Sequence, residues 1–331
     1  MLEKYLFDFV DKPMLDITNY SASMDYLSND CVTIKYLENV ILTPLDETQI
    51  TFIPKDENKS NILIETHPVI YLGIWYNVWG HLLTDVLSRF WYVGSMEYFE
   101  KKLNEYDILY YAEDDSFPIQ FYDLLEIIGV KRQRLRKINK VAYCSSVYIP
   151  DDSLILKTDD KIIGKDVDLK NGLFFYTPEY EKLINKIKLN VEPIKTDKIF
   201  FTVNRTSKFI GILNIERVMR KSGFNILNPT KLSFKEQMSY ISGCDTFCTF
   251  EGSISFNALF LKENSELVLI RKLPYIDPYQ FAINQISNSK VIYIDSHLSF
   301  CCDKNFPYLG PFMLYLSENL INYLNISSHK K

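Results

Sequence analysis

The chain has 331 residues, 47% hydrophobic and 24% charged, with a formal net charge of −5. That length suits two domains, the composition is that of a soluble globular protein, and the negative balance argues against general nucleic-acid binding. No apolar run approaches the ~18–20 residues of a membrane span, and the acidic opening MLEKYLFDFVDKP does not read as a signal peptide. The six cysteines (Cys31, Cys144, Cys244, Cys248, Cys301 and Cys302) contain no C-x-x-C pair, which argues against a zinc framework and for reduced thiols in a cytosolic protein. The sequons at Asn58, Asn204 and Asn325 are therefore read as chance. Tyr and Phe are abundant, at 23 and 22, and suit stacking surfaces for sugars or bases.

Residues 1–66 read as short strands and turns, among them CVTIKYLENVILTP and TQITFIP. PVIYLGI (68–74) is a buried strand that leads into the most informative stretch, Tyr76 to Trp91. Asn77, His81, Asp85 and Arg89 recur there every fourth residue, one turn apart on a helix, while Leu82, Leu83, Val86, Leu87, Phe90 and Trp91 make a wide apolar face. Ionisable groups on so apolar a helix are costly unless paired, so the polar line is expected to face a cleft. At i,i+4, His81 and Asp85 can share a hydrogen bond; a satisfied pair in a core helix is the plainer alternative.

DILYYA (107–112) is the next buried strand, IQFYDLLEIIG a helix that stops at Gly129, and VAYCSSVYIP (141–150) a further strand. This alternation predicts a parallel α/β layer. DDSLILKTDDK reads as a polar loop and PEYEKLINKIKLN as a helix, with Pro193 and KTDK marking a domain boundary at 191–197. A second α/β cycle follows: KIFFTVN, NIERVMRKSG, FNILNP, SFKEQMSYISGC, DTFCTF, a helix opening near Gly252, and ELVLIR. The tail PYLGPFMLYLSENLINYLNIS reads as an amphipathic last helix that packs back on the first half. The expected architecture is two α/β domains, 1–192 and 193–331, facing a cleft.

Beyond the His81/Asp85 line, three stretches suggest chemistry. In Cys244–Asn257 a strand runs into Glu251-Gly252-Ser253 and a helix carrying Asn257. A glycine at such a turn lets backbone N–H groups approach a phosphate, and Glu251 can accept hydrogen bonds from ribose or sugar hydroxyls. An ordinary βα turn capped by Ser253 is the alternative. The loop Asn204–Lys208 brings Arg205 and Lys208 to the same strand ends, where they can hold a diphosphate or be merely solvated. Lys131–Lys137 carries five positive charges in seven residues, either a solvated face or contact with an anionic membrane surface or a phosphate-bearing acceptor. The pairs Asp114-Asp115, Asp151-Asp152 and Asp159-Asp160 read as loop acids rather than metal ligands, and with no G-x-S-x-G a serine hydrolase has little support.

Together these stretches resemble glycosyltransferase family 61, in its capsular polysaccharide type. The resemblance is carried first by Gly80, His81, Asp85 and Arg89 in a Gly-His-x-x-x-Asp-x-x-x-Arg pattern. It continues through Phe201 to Arg205, Asn214, Gly223-Phe224, Ser233-Phe234, Gln237, Glu251-Gly252-Ser253, Asn257 to Phe260 and Asn264-Ser265-Glu266. Two positions depart from it: many members carry His-Gly-Ala where this chain has Glu251-Gly252-Ser253, and Gly211 stands where a second Arg often precedes the Asn at 214.

The resemblance implies a GT-B-like fold and inverting sugar transfer from a nucleotide-sugar donor, a UDP-sugar by default, with no metal or other cofactor. The acceptor would be a glycan or lipid-linked hydroxyl in surface polysaccharide synthesis, at the cytoplasmic side of a membrane. Asp85 would be the general base with His81 beside it, and Asn77 and Arg89 would line the acceptor side. Arg205, Lys208, Glu251, Gly252, Ser253 and Asn257 would bind the donor. Two other readings stay open: a non-catalytic sugar- or nucleotide-binding partner of an active enzyme, and a transferase of pyruvyl or phosphoryl groups onto glycans.

Overall fold

The computed structural model describes residues 34–42, 63–94, 103–139, 141–157, 173–203, 208–272, 277–298 and 310–328, and the backbone at 15–16. The chain divides into two compact units, one of Asp25–Leu156 with Phe174–Asn190, the other of Met1–Met24, Lys157–Leu173 and Val191–Lys331. Both are α/β. Among the described residues no helix is long and apolar enough to cross a membrane.

In the first unit the sheet runs Ile34–Leu42, Ala142–Pro150, Val69–Ile74, Asp107–Tyr111 and Leu135–Lys137. Every neighbouring pair is parallel except the first. Strands buried on both faces read as continuous apolar runs, which is why Val69–Ile74 and Asp107–Tyr111 stand out in the sequence. On one face Val40, Leu42, Val69, Leu109, Tyr111, Ala142 and Val147 form a core. Trp75 anchors an aromatic cluster, stacked on Tyr110 at 3.9 Å between ring centroids and edge-on to Phe90, Phe117 and Phe121. Helices Ile119–Ile127 and Pro178–Leu189 complete the unit, the second tied down by Lys186 Nζ, which donates to the carbonyls of Val93 and Ile128.

The basic run 131–137 departs from the reading of a plain charged face. Its end, Leu135–Lys137, is the edge strand of the sheet. Four of its five charges are engaged within the unit. Arg132 lies over the Tyr122 ring, Arg134 donates to the carbonyls of Tyr106 and Leu103, Arg136 pairs with Glu65 and Asp107, and Lys137 pairs with Asp115. Glu65 is buried at 7% exposure, so Arg136 supplies the partner that a desolvated carboxylate requires. The segment read as a polar loop also contains a strand, Leu154–Lys157, paired with Leu173–Tyr176.

The second unit is built on five parallel strands: Thr196–Phe201, Asn225–Leu227, Cys244–Phe250, Glu266–Arg271 and Lys290–Asp295. Numbered along the chain, they lie in the order 2-1-3-4-5, with Leu15–Asp16 added antiparallel on the last. This is a doubly wound order, and its direction reverses between the first strand and the third. Ligands of such sheets bind outside the carboxyl ends of the strands at that reversal, here the ends of Thr196–Phe201 and Cys244–Phe250. The helix Phe234–Gly243 starts on a capping box in which Ser233 and Glu236 satisfy each other's backbone N–H, as the pattern Ser-x-x-Glu requires.

The last helix, Glu318–Ser328, corrects the expectation that it returns to the first half. Its buried residues Leu320, Tyr323 and Leu324 share a core with Phe200, Ile215, Val268 and Ile294 of the second unit, and the Tyr323 hydroxyl donates to Glu266 at 2.5 Å. An amphipathic pattern shows that a face is buried, but not against which partner. Leu320→Ala is expected to destabilise the second unit by about 2–5 kcal/mol, the usual cost of a buried Leu-to-Ala cavity. Urea unfolding of the full chain checks this; a loss below about 1 kcal/mol would contradict the placement.

Candidate active site

In the first unit the stretch read as one α-helix is helical but not uniform. Trp79–His81 form an α turn, Leu82–Val86 a π-helical turn and Leu87–Gly94 a 3-10 helix. Such π turns widen the helix locally and are frequent at functional sites. Leu82, Leu83 and Val86 are buried, while the His81 and Asp85 side chains are 47% and 30% exposed. His81 Nδ1 stands 2.6 Å from Asp85 Oδ2, a short hydrogen bond. The Thr84 hydroxyl lies 3.0 Å from both Asp85 Oδ1 and the Gly80 carbonyl, and the buried Tyr180 hydroxyl donates to the Leu83 carbonyl at 2.7 Å. Asp85 is therefore held through both carboxylate oxygens, Oδ2 by His81 and Oδ1 by Thr84, while its side chain stays 30% exposed.

The rest of the predicted polar line is used differently. Asn77 is exposed and precedes the helical segment. The Arg89 guanidinium donates through Nε to Asp152 Oδ1 at 2.6 Å and through Nη1 to the Leu72 carbonyl at 2.9 Å. Gly73 makes room for it, since a Cβ there would lie 1.8 Å from Nη1, and its φ of +71° also favours glycine. The pair read as loop acids thus holds the helix: Asp152 binds Arg89, and the Asp151 carbonyl accepts from Trp91 Nε1.

In the second unit Glu251 sits at the carboxyl end of Cys244–Phe250, only 2% exposed. Neither carboxyl oxygen has a hydrogen-bond partner among the described residues, and the nearest cation, Arg271 Nε at 3.9 Å, belongs to a guanidinium paired with Asp295 at 2.9 Å. Burial pushes Glu251 up to about 8, so it holds a proton at neutral pH. Burial, then the nearby Lys208, bring Lys272 down to about 8, and burial brings His297 down to about 4.

The helix expected to open at Gly252 is a six-residue 3-10 turn, Ser255–Phe260, so there is no aligned helix N-terminus to favour a phosphate. The Gly252 N–H donates to Ser255 Oγ at 3.1 Å, which makes Ser255, not Ser253, the residue that closes the turn. Ser253 is half-buried and Asn257 buried within the segment. Lys208 Nζ stands 5.8 Å from the Phe312 ring centroid. Arg205 lies outside the described residues. Among those residues no group of three or more His, Cys, Asp or Glu is placed to hold a metal ion.

Sequence reasoning missed Thr84, Asp152, Arg271, Lys272, Asp295 and His297. The end of ELVLIR at Arg271-Lys272 was a usable signal, because it sets two cations at a strand's carboxyl edge beside Glu251.

A family model described as Glycosyltransferase 61 matches residues 79–268, more than half of the chain. The chain belongs to glycosyltransferase family 61. A search of curated proteins finds no match. The matched span opens at the helical turn of His81 and Asp85 and takes in Glu251, Gly252 and Asn257, but stops short of Lys272.

Gly211, one of the two departures from the family pattern, has a structural reason: its φ is +91° and a Cβ would lie 2.2 Å from the Leu314 carbonyl oxygen. Gly211→Arg is expected to lower stability by at least ~1–3 kcal/mol from the backbone alone; unchanged urea unfolding would contradict this. For Glu251, a folded-state value raised from 4.5 to about 8 means that the native state keeps a proton the unfolded chain releases. Its contribution is fully present below pH 4.5 and is lost as pH rises to about 8. The stability of the protein relative to Glu251→Gln should fall across that window in paired urea titrations, and a flat or rising difference would contradict the assignment.

Proposed function

We propose that this chain is an inverting, metal-independent glycosyltransferase that moves a sugar from a nucleoside diphosphate donor to a hydroxyl of a glycan or lipid-linked acceptor. UDP is the default nucleotide, and synthesis of surface polysaccharide at the cytoplasmic face of a membrane is the setting. The observation that carries the reading is the His81–Asp85 contact at 2.6 Å, with Asp85 held by Thr84 and still reachable from solvent.

In the proposed reaction Asp85 accepts the proton of the acceptor hydroxyl while its oxygen attacks the anomeric carbon. The bond from that carbon to the diphosphate breaks, and its electron pair leaves on the phosphate oxygen. One in-line displacement inverts the configuration and requires base and leaving group on opposite faces of the sugar, which a GT-B-like arrangement of the two units would provide. His81 orients Asp85 through their 2.6 Å contact. Lys208, Arg205 and the turn at Gly252 are assigned to the diphosphate, where fixed positive charge is worth most as the bond breaks.

Asp85→Asn keeps the shape and removes the base. Turnover is expected to fall by about 10²–10⁴-fold, with donor affinity by calorimetry unchanged. A non-catalytic binding partner, the reading favoured by Glu251 and Gly211 standing where the family often has His and Arg, would lose nothing in the same variant. Equal turnover in the two proteins would overturn the assignment of Asp85.

A further inference from the structure

We infer that Lys272 is a donor-binding residue that, with Lys208, clamps the diphosphate of a nucleoside diphosphate sugar at the Gly252 turn. This rests on the transferase reading and deepens it by naming a residue outside the span that matches the family.

Four observations converge on it. Lys272 directly follows the strand Glu266–Arg271, at the carboxyl edge and beside the strand Cys244–Phe250 that leads into Glu251. Its Nζ approaches Gly252 so closely that a Cβ there would lie 2.9 Å away. It shares one aromatic platform with Lys208, the two ammonium groups standing 4.9 and 5.8 Å from the Phe312 centroid. Beside them Glu251 is buried with both oxygens lacking a hydrogen-bond partner among the described residues.

Two ammonium groups over one ring repel each other, and each repulsion depresses the charged form of its neighbour. The pull on Lys272 from Lys208 agrees with this. A ligand with adjacent negative charges reverses the balance, since each phosphate can take one lysine as a point charge. A single phosphate satisfies one lysine and leaves the other opposed. Glu251, buried with neither oxygen bonded among the described residues, adds little competing negative charge, and Asp277 is the other acid that acts on Lys272. The chemistry selects a diphosphate, so donors activated by a single phosphate, such as CMP-sugars, are disfavoured.

The test is calorimetry of the full chain with UDP, GDP and dTDP and with their monophosphates, repeated on Lys272→Met and Lys272→Arg. The protein is expected to prefer one nucleoside diphosphate over its monophosphate by about tenfold or more. Lys272→Met should lose most of that preference with monophosphate binding unchanged, and Lys272→Arg should keep it. In case the methionine variant fails to fold, lysine acylation of the unaltered protein, mapped by mass spectrometry, gives a second readout. Saturating diphosphate should protect Lys272 more than the monophosphate does. Full affinity for the diphosphate in Lys272→Met, or equal labelling with and without it, overturns the inference alone. Absence of binding to every nucleoside diphosphate overturns it together with the transferase reading.

Discussion

A charged group taken out of water must find a partner or give up its charge, and both units are organised by how that requirement is met. In the first unit it is met by pairing. Arg136 neutralises the buried Glu65 across the sheet edge, and Arg89 ties the helical segment to Asp152 and to the Leu72 carbonyl. The Arg89–Asp152 pair fixes the helical segment that carries Asp85, whose carboxylate oxygens meet His81 and Thr84 while its side chain stays 30% exposed. In the second unit Arg271 and Asp295 satisfy each other, while Glu251 gives up its charge instead. Among the described residues neither Glu251 oxygen has a hydrogen-bond partner.

The mixed helix from Trp79 to Gly94 shows how sequence spacing and backbone geometry cooperate. A spacing of four places His81 and Asp85 on one side of any helix, and the π turn keeps them in contact while Leu82, Leu83 and Val86 remain buried. Backbone groups displaced by the wider turn take side-chain partners, as the Leu83 carbonyl does from Tyr180. Gly73 is part of the same construction, because any larger residue would occupy the space of the Arg89 guanidinium. A residue on a strand therefore decides where an arginine on the next element can reach.

Much of this was legible in the amino-acid sequence, for identifiable reasons. Continuous apolar runs announced the buried strands at 69–74, 107–111 and 244–250, and period-four polar residues announced the His81–Asp85 pair. The strand Leu135–Lys137 was hidden because two of its three residues are basic, and the charge reads as solvent exposure until Glu65 and Asp107 are seen beside it. The last helix was recognised but assigned to the wrong partner, since amphipathicity carries no address. The turn at Gly252 was read as a helix start, whereas the Ser255 side chain takes the Gly252 N–H and leaves only a short 3-10 turn. Asp152, Arg271, Asp295 and Lys272 were missed because each acts through a residue distant in the chain, which spacing alone does not reveal.

The proposed function stands on Asp85 acting as the base of a sugar transfer from a nucleoside diphosphate donor. Nucleotide release from a panel of UDP-, GDP-, dTDP- and CMP-sugars, in the presence and absence of EDTA and with a mixture of glycan acceptors, tests it most directly. The account predicts release from one nucleoside diphosphate sugar, at the same rate with EDTA, with the sugar recovered on an acceptor in inverted configuration. Recovery of the sugar with retained configuration, or release that EDTA abolishes, would contradict it.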